Sequence, residues 1–123
     1  MDLHDPDALM ESCIFCKIAA GEIPAKVVYR DERVVAIEDV NRQAPVHLLV
    51  LPVAHHETLR QAVSAGDPSL SSALMEIASR LGNEHGGARG YRLVVNTGPD
   101  GGQTVGHVHV HVLAGRPMTW PPG

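Results

Sequence analysis

From residue 13 onward the spacing of apolar positions changes in character along the chain, and each change predicts an element. CIFCKIAA (residues 13–20) has the pattern of a short helix, closed by Gly21, with Pro24 blocking its resumption. VVYR (27–30) and RVVAIEDV (33–40) are rich in β-branched residues and predict two strands joined by Asp31-Glu32. HLLVLPV (47–53) is almost continuously apolar, which predicts a central strand covered on both faces.

A helical stripe follows. Leu70, Ala73, Leu74, Ile77, Ala78 and Leu81 recur at i, i+3, i+4, i+7, i+8 and i+11, so one face of a long helix is apolar. Asp67 can cap its start with Pro68 at the first helical position, and Gly82 is the expected left-handed stop. YRLVVN (91–96) and HVHVHVL (107–113) predict two more strands around the glycine-rich turn PDGGQTV (99–105). RPMTWPPG (116–123) predicts no regular structure. The sum is a mixed α+β domain without internal repeats.

Composition narrows what such a domain does. The 123 residues suit one domain, and with 44% hydrophobic but only 3% aromatic residues the core must be built from Val, Leu, Ile and Ala. A formal charge of −4, with no basic run and no row of aromatics, argues against a nucleic-acid groove. No apolar run approaches membrane-spanning length. The first twelve residues, MDLHDPDALMES, are acidic and broken by Pro6, which predicts a loose arm over residues 1–12 rather than a signal peptide, and a cytoplasmic location.

GHVHVHVL (106–113) holds three of the eight histidines at alternate positions. In a strand Val108, Val110 and Val112 face one side, against the long helix, and His107, His109 and His111 face the other. A solvated face would more commonly carry Thr, Lys, Glu or Ser. One metal held by all three is also unworkable: the outer pair would stand about 13 Å apart, whereas zinc takes nitrogens at about 2.0 Å. The rings therefore divide the work. The middle one, His109, is flanked on both sides and is the natural nucleophile, active if a hydrogen bond holds one of its nitrogens. In the preceding turn Gly101 and Gly102 allow close backbone approach to an anionic group, followed by the Thr104 hydroxyl, although Gly-Gly between strands is more often a plain hairpin.

Cys13 and Cys16 open the first helix. A pair at this spacing is either half a zinc site or a redox couple, and the absence of a parallel βα pattern favours zinc, which then needs two further ligands.

His-Val-His-Val-His-Val-Leu matches the motif that names the histidine triad (HIT) superfamily of nucleotide hydrolases and transferases. The resemblance runs over nearly the whole chain, from CIFCKIAAGEIPAKVVYRDERVVAIEDVNRQAPVHLLVLPVAHH to NTGPDGGQTVGHVHVHVLAGRPMTWPPG, and the final Trp-Pro-Pro-Gly resembles its Hint branch. It implies an antiparallel five-stranded sheet extended across a homodimer, with a HIT domain over 13–115 and a tail over 116–123 at the dimer interface. The activity it implies is hydrolysis of purine nucleoside phosphoramidates, with His109 as nucleophile, His111 and His47 orienting it and contacting phosphate, and Thr104 beside the leaving group.

The same resemblance implies that Asp39 takes the ribose hydroxyls, and Phe15, Ile18, Ile23, Ile37 and Val40 wall the base. Asn96, Gly102 and Gln103 fall on the phosphate side, and Trp120 at the interface near the partner's site. Simple alternatives stand beside these: the apolar set as core, Asp39 as a turn former, Trp120 docked on its own subunit. For zinc the resemblance supplies His55 and His107 to complete Cys13 and Cys16, with His56 adjoining as an equivalent candidate. Gly106 stands where relatives often have an aromatic, implying a more open leaving-group side and a broader range of amines. Polyphosphate hydrolysis or nucleotidyl transfer, and a non-catalytic zinc-stabilised nucleotide-binding role, remain as alternatives.

Overall fold

The computed structural model describes residues 13–65 and 67–123, so the arm expected over residues 1–12 lies outside the described residues. Five strands form one antiparallel sheet: β1 (Val27–Arg30), β2 (Val34–Glu38), β3 (Val46–Pro52), β4 (Tyr91–Val95) and β5 (Val110–Ala114), in the order β1-β2-β3-β5-β4. Helix α1 (Ile14–Ala19) precedes the sheet, and α2 (Leu59–Ser64) and α3 (Ser69–Gly86) lie between β3 and β4. The α+β, antiparallel five-stranded expectation holds. The apolar pattern predicts one short helix and misses α2, which Thr58 caps by accepting the Gln61 N–H and which buries only Ala62, too little apolar periodicity to show.

Alternation in the central strands explains why HLLVLPV is apolar throughout. Val34, Ala36, Leu48, Val50, Val110 and Val112 pack on one face against Leu74, Ile77, Ala78 and Leu81 of α3. Val35, Ile37, Leu49 and Leu51 pack on the other against Phe15, Ile18 and Ala19 of α1. Both faces are covered, so a polar residue on either face needs a reason. Val108 meets the same long helix nearer its start, at Leu70, together with Ala62 of α2.

Two expected helix boundaries move. Gly82 does not end α3, which runs on to Gly86 and is capped by Gly87 at φ +55°. Gly82 is buried beneath Tyr91, where an added Cβ would lie 2.5 Å from the ring, so glycine is there to admit that ring rather than to adopt a positive φ. At the other end Pro68 has helical dihedrals and sits at the cap position. The Asp67 carboxylate is engaged by the Ser69 hydroxyl and by Arg33, while its backbone carbonyl accepts from Leu70. The β1–β2 link is also longer than Asp31-Glu32: it includes Arg33, and the Asp31 carboxylate accepts the backbone N–H groups of Arg33 and Val34.

Of the triad only His111 lies in the sheet, because β5 begins at Val110. Pro52 is the cause. Backbone groups of Leu51 and Val53 face β2, so those of Pro52 face β5, and Pro52 has no N–H to offer where the ladder would pass Val108. The chain there is held by other bonds: the Val108 N–H donates to the His56 carbonyl at 2.8 Å, and the Pro52 carbonyl accepts from the His107 ring. No helix among the described residues is long and apolar enough to cross a membrane.

Candidate functional site

The three triad histidines enter three different environments. His107 is fully buried, with Nε2 2.8 Å from the Pro52 carbonyl oxygen. A carbonyl only accepts, so Nε2 carries the proton and Nδ1 presents its lone pair. That lone pair faces Cys13 Sγ at 3.4 Å and Cys16 Sγ at 3.5 Å, and His55 Nδ1 lies 3.1 Å from Cys16 Sγ. The four donor atoms lie within 4.8 Å of one another. Across a tetrahedral zinc the sulfur–nitrogen separation would be about 3.5 Å, given bonds of about 2.3 and 2.0 Å, so the donor set fits such an ion.

Local folding brings these donors together. Cys13 is the N-cap of α1, and its sulfur accepts the Cys16 N–H at 3.4 Å, which draws the second thiol alongside the first. Among the described residues His55 Nε2 is buried without a hydrogen-bond partner, and the ring is placed by Cys16 Sγ at Nδ1 and by the His107 ring, which it meets edge-on at 5.1 Å. His55 joins the cluster, while His56 contributes its carbonyl to Val108. Burial holds His107 down to about 4 and, with Cys13 alongside, pushes the Cys16 thiol up to about 12. The cluster thus has neutral imidazole lone pairs ready, and a bound dication would draw the proton from Cys16.

His111 belongs to a second cluster. It lies opposite Leu49 in the β3–β5 register, one position along the same face from His47, and His47 Nε2 is 2.9 Å from His111 Nδ1. The Gln43 N–H donates to His47 Nδ1 at 3.1 Å, so His47 must be protonated at Nε2. That proton faces His111 Nδ1, with Asp39 Oδ2 at 3.4 Å, which leaves His111 protonated at Nε2 and able to donate there. Burial lowers both histidines, His111 to about 4, so each is neutral near pH 7.

Between the clusters lies His109, only 7% exposed. Its Nδ1–H donates to the His107 carbonyl at 2.8 Å, and Phe15 meets the ring edge-on at 5.0 Å between centroids. The remaining lone pair is on Nε2. An oriented imidazole with one nitrogen tied to backbone and the other free is what nucleophilic attack requires.

A cavity of about 550 Å³ adjoins this face, lined by Phe15, Ile18, Ile23, Ile37, Asp39 and Val40 among others. The structure brings together the whole set expected at the base and ribose. Asp39 also acts as the turn former that its place before Asn41 suggests: Oδ1 accepts the Asn41 N–H at 2.9 Å. A carboxylate has further lone pairs, so the turn bond does not exclude binding.

The glycine-rich turn differs from its expected chemistry. The Gly102 N–H closes the turn on the Pro99 carbonyl, and the Gln103 N–H on Gly98. The Gln103 side chain accepts from Gly98 N–H and donates to the Glu57 and Val105 carbonyls, so it fastens the loop. Gly102 has φ +81°, and an added Cβ at Gly101 would collide with the Thr97 carbonyl, so both glycines are required by the backbone. Asn96 stands beside Gly102, and Thr104 is exposed. Trp120 is 84% exposed, which sets aside docking on its own subunit; Val40 is fully exposed. The partners that sequence reasoning misses are backbone groups, Pro52 carbonyl and Gln43 N–H, which leave no side-chain signal.

Comparison with known proteins places the chain in a family. Residues 20–118 match the HIT domain. A HIT family hydrolase from Legionella pneumophila superposes with a TM-score of 0.86 at 47% identity, covering 91% of this chain and 100% of that one. A Zn-bound histidine triad family protein from Mycobacterium smegmatis has a TM-score of 0.76 at 31% identity, covering 87% of this chain and 77% of that one. A 14 kDa zinc-binding protein of Zea mays is 44% identical over 112 residues, 89% of this chain and 87% of that one. The triad in its three environments, the antiparallel sheet and these likenesses lead to one assignment: the chain belongs to the HIT family.

Proposed function

We propose that this protein is a HIT-family hydrolase that cleaves the P–N bond of purine nucleoside phosphoramidates, and that it carries a structural zinc. The observation that carries the catalytic part is the 2.8 Å bond from His109 Nδ1–H to the His107 carbonyl, which leaves Nε2 free as a nucleophile. Nε2 attacks the α-phosphorus. The P–N bond breaks, its electron pair leaves on the amine nitrogen, which takes up a proton, and the nucleotidyl group is held on Nε2. Water then attacks phosphorus and releases the imidazole and the nucleoside monophosphate.

The other residues take supporting parts. His111 donates from Nε2 to a phosphate oxygen, in the tautomer that Gln43 and His47 impose. Asp39 accepts from the ribose hydroxyls, the apolar cavity receives the purine, Asn96 and the Gly102–Gln103 loop border the phosphate, and Thr104 lies beside the leaving amine. Zinc held by Cys13, Cys16, His55 and His107 ties α1, and with it Phe15, to the strand bearing His109. It takes no part in the chemistry. The named zinc-binding and zinc-bound relatives support this ion.

β4 is an edge strand of the sheet among the described residues, and Val40 and Trp120 are exposed apolar groups near the cleft and in the tail. Pairing of two chains, with residues 116–123 at the interface and Trp120 near the partner's site, would cover them. Steady-state hydrolysis of an adenosine phosphoramidate by native protein and by His109→Ala tests the function. Native turnover lost by at least about a thousand-fold in the variant is expected; hydrolysis that survives the substitution contradicts the proposal.

A further inference from the structure

We infer that the leaving-group side is built for amines that carry a second, positively charged group, and that Glu57 selects them. This rests on the phosphoramidase reading above and adds a substrate class to it. Ile14 forms a wall shared by two hollows. On one side is the cavity assigned to the nucleoside; on the other is a hollow of about 320 Å³ bounded by Cys13, His55, Glu57, Thr104 and Gly106. A substrate that lays its nucleoside in the first and its phosphorus at His109 must send its leaving group out another way. A hollow bounded by Glu38, Arg42 and His47 is about 60 Å³, room for little more than a water or two. The Glu57 side, where Thr104 stands, offers several times that space.

That space continues. A further hollow of about 360 Å³ is also bounded by Glu57, Thr104 and Gly106, so the carboxylate stands on the ridge between the two. Neither hollow is lined by a Lys or Arg, whereas the nucleoside cavity has Lys26 and Arg42 at its wall. Glu57 has no ion-pair partner among the described residues. Among the described residues, a Cβ at Gly106 would come within 4.0 Å of a Glu57 carboxylate oxygen and of no other atom, so the two residues are neighbours on this wall. The Glu57 backbone is fixed on both sides, its N–H by Gln61 and its carbonyl by Gln103, so the carboxylate is carried on a firm base. Among the described lining residues of this path Glu57 is the carboxylate, with no Lys or Arg beside it, and it complements an ammonium or guanidinium group on the departing amine.

Two adenosine phosphoramidates of equal chain length distinguish this, one made from pentylamine and one from diaminopentane, which keeps a free ammonium. The native protein should favour the charged compound about three- to five-fold in kcat/KM, the scale of an exposed ion pair, with the difference in KM and diminished by salt. Glu57→Gln should bring the ratio to about one and Glu57→Lys should invert it. A native protein that prefers the charged compound equally with Glu57→Gln, or that shows no preference, overturns the inference while leaving the phosphoramidase reading intact. A native protein that hydrolyses neither compound overturns that reading, and this selectivity with it.

Discussion

His109 and His107 are joined by a bond from ring to backbone: Nδ1–H of the first donates to the carbonyl of the second across 2.8 Å. Both rings also meet Phe15 edge-on, but their nitrogens find different partners. His107 turns its ring to the thiols of Cys13 and Cys16, while His109 turns its own to the open face. A run of identical residues thus becomes a ligand and a nucleophile because successive carbonyls and rings find different partners.

His111 is the terminus of a proton-orienting chain that begins at a backbone amide, Gln43 N–H to His47 to His111. Replacing His111 by Ala should lower kcat by about a hundred- to a thousand-fold, the scale for losing one oriented donor at a developing charge. His47→Ala should act in the same direction through His111, because the tautomer is no longer imposed. Kinetics of the two single variants and the double variant check this: a double variant no worse than His111→Ala is expected, and additive losses would show that His47 acts separately.

Zinc binding should release protons from the thiol side. Burial already holds His107 down to about 4, so at pH 7 it gives up none, whereas Cys16, pushed up to about 12 in the metal-free cluster, must give up one. Titration calorimetry in buffers of different ionisation enthalpy reads the number directly. Chelation, or Cys16→Ser, should lower Tm, since the ion binds the folded chain; a chelator that leaves Tm unchanged would speak against a structural ion.

Acid should weaken the metal-free fold through histidines that stay neutral inside it. His107 and His111 titrate at about 4 when folded against 6.5 otherwise, both chiefly because of burial. Between those values the unfolded chain binds protons that the folded chain does not, so stability is complete above about pH 6.5 and falls as pH drops toward about 4. Denaturant midpoints measured across this window should decline, and His111→Gln should flatten the decline. A midpoint independent of pH there would contradict the assignment.

Gly82→Ala should destabilise the protein despite the helix preference for alanine. The gain is about 1 kcal/mol at most, while a methyl placed 2.5 Å from the Tyr91 ring forces β4 or the ring to move, typically at about 1–3 kcal/mol. Thermal or urea unfolding decides the sign.

Elements whose side chains repeat with a regular period are legible in the sequence. The stripe from Leu70 to Leu81, the two-faced strand at Leu48–Leu51 and the alternation of the triad each reflect a burial pattern that recurs along the chain. What escapes depends on backbone or on contacts distant in sequence. The start of β5 at Val110 follows from a missing N–H on Pro52, and Gly82 answers to Tyr91 across the fold rather than to its own helix. Gln103 illustrates the same limit at the site: its amide, placed on the phosphate side by resemblance, fastens the loop to Glu57 and Val105.

The most direct test of the account is to stop the reaction with an adenosine phosphoramidate within its first turnovers and locate any covalent nucleotide by mass spectrometry. One nucleotidyl group on His109, absent from His109→Ala, is the predicted result. Product formation with no adduct, or an adduct carried by another residue, would contradict the assignment of His109 as nucleophile.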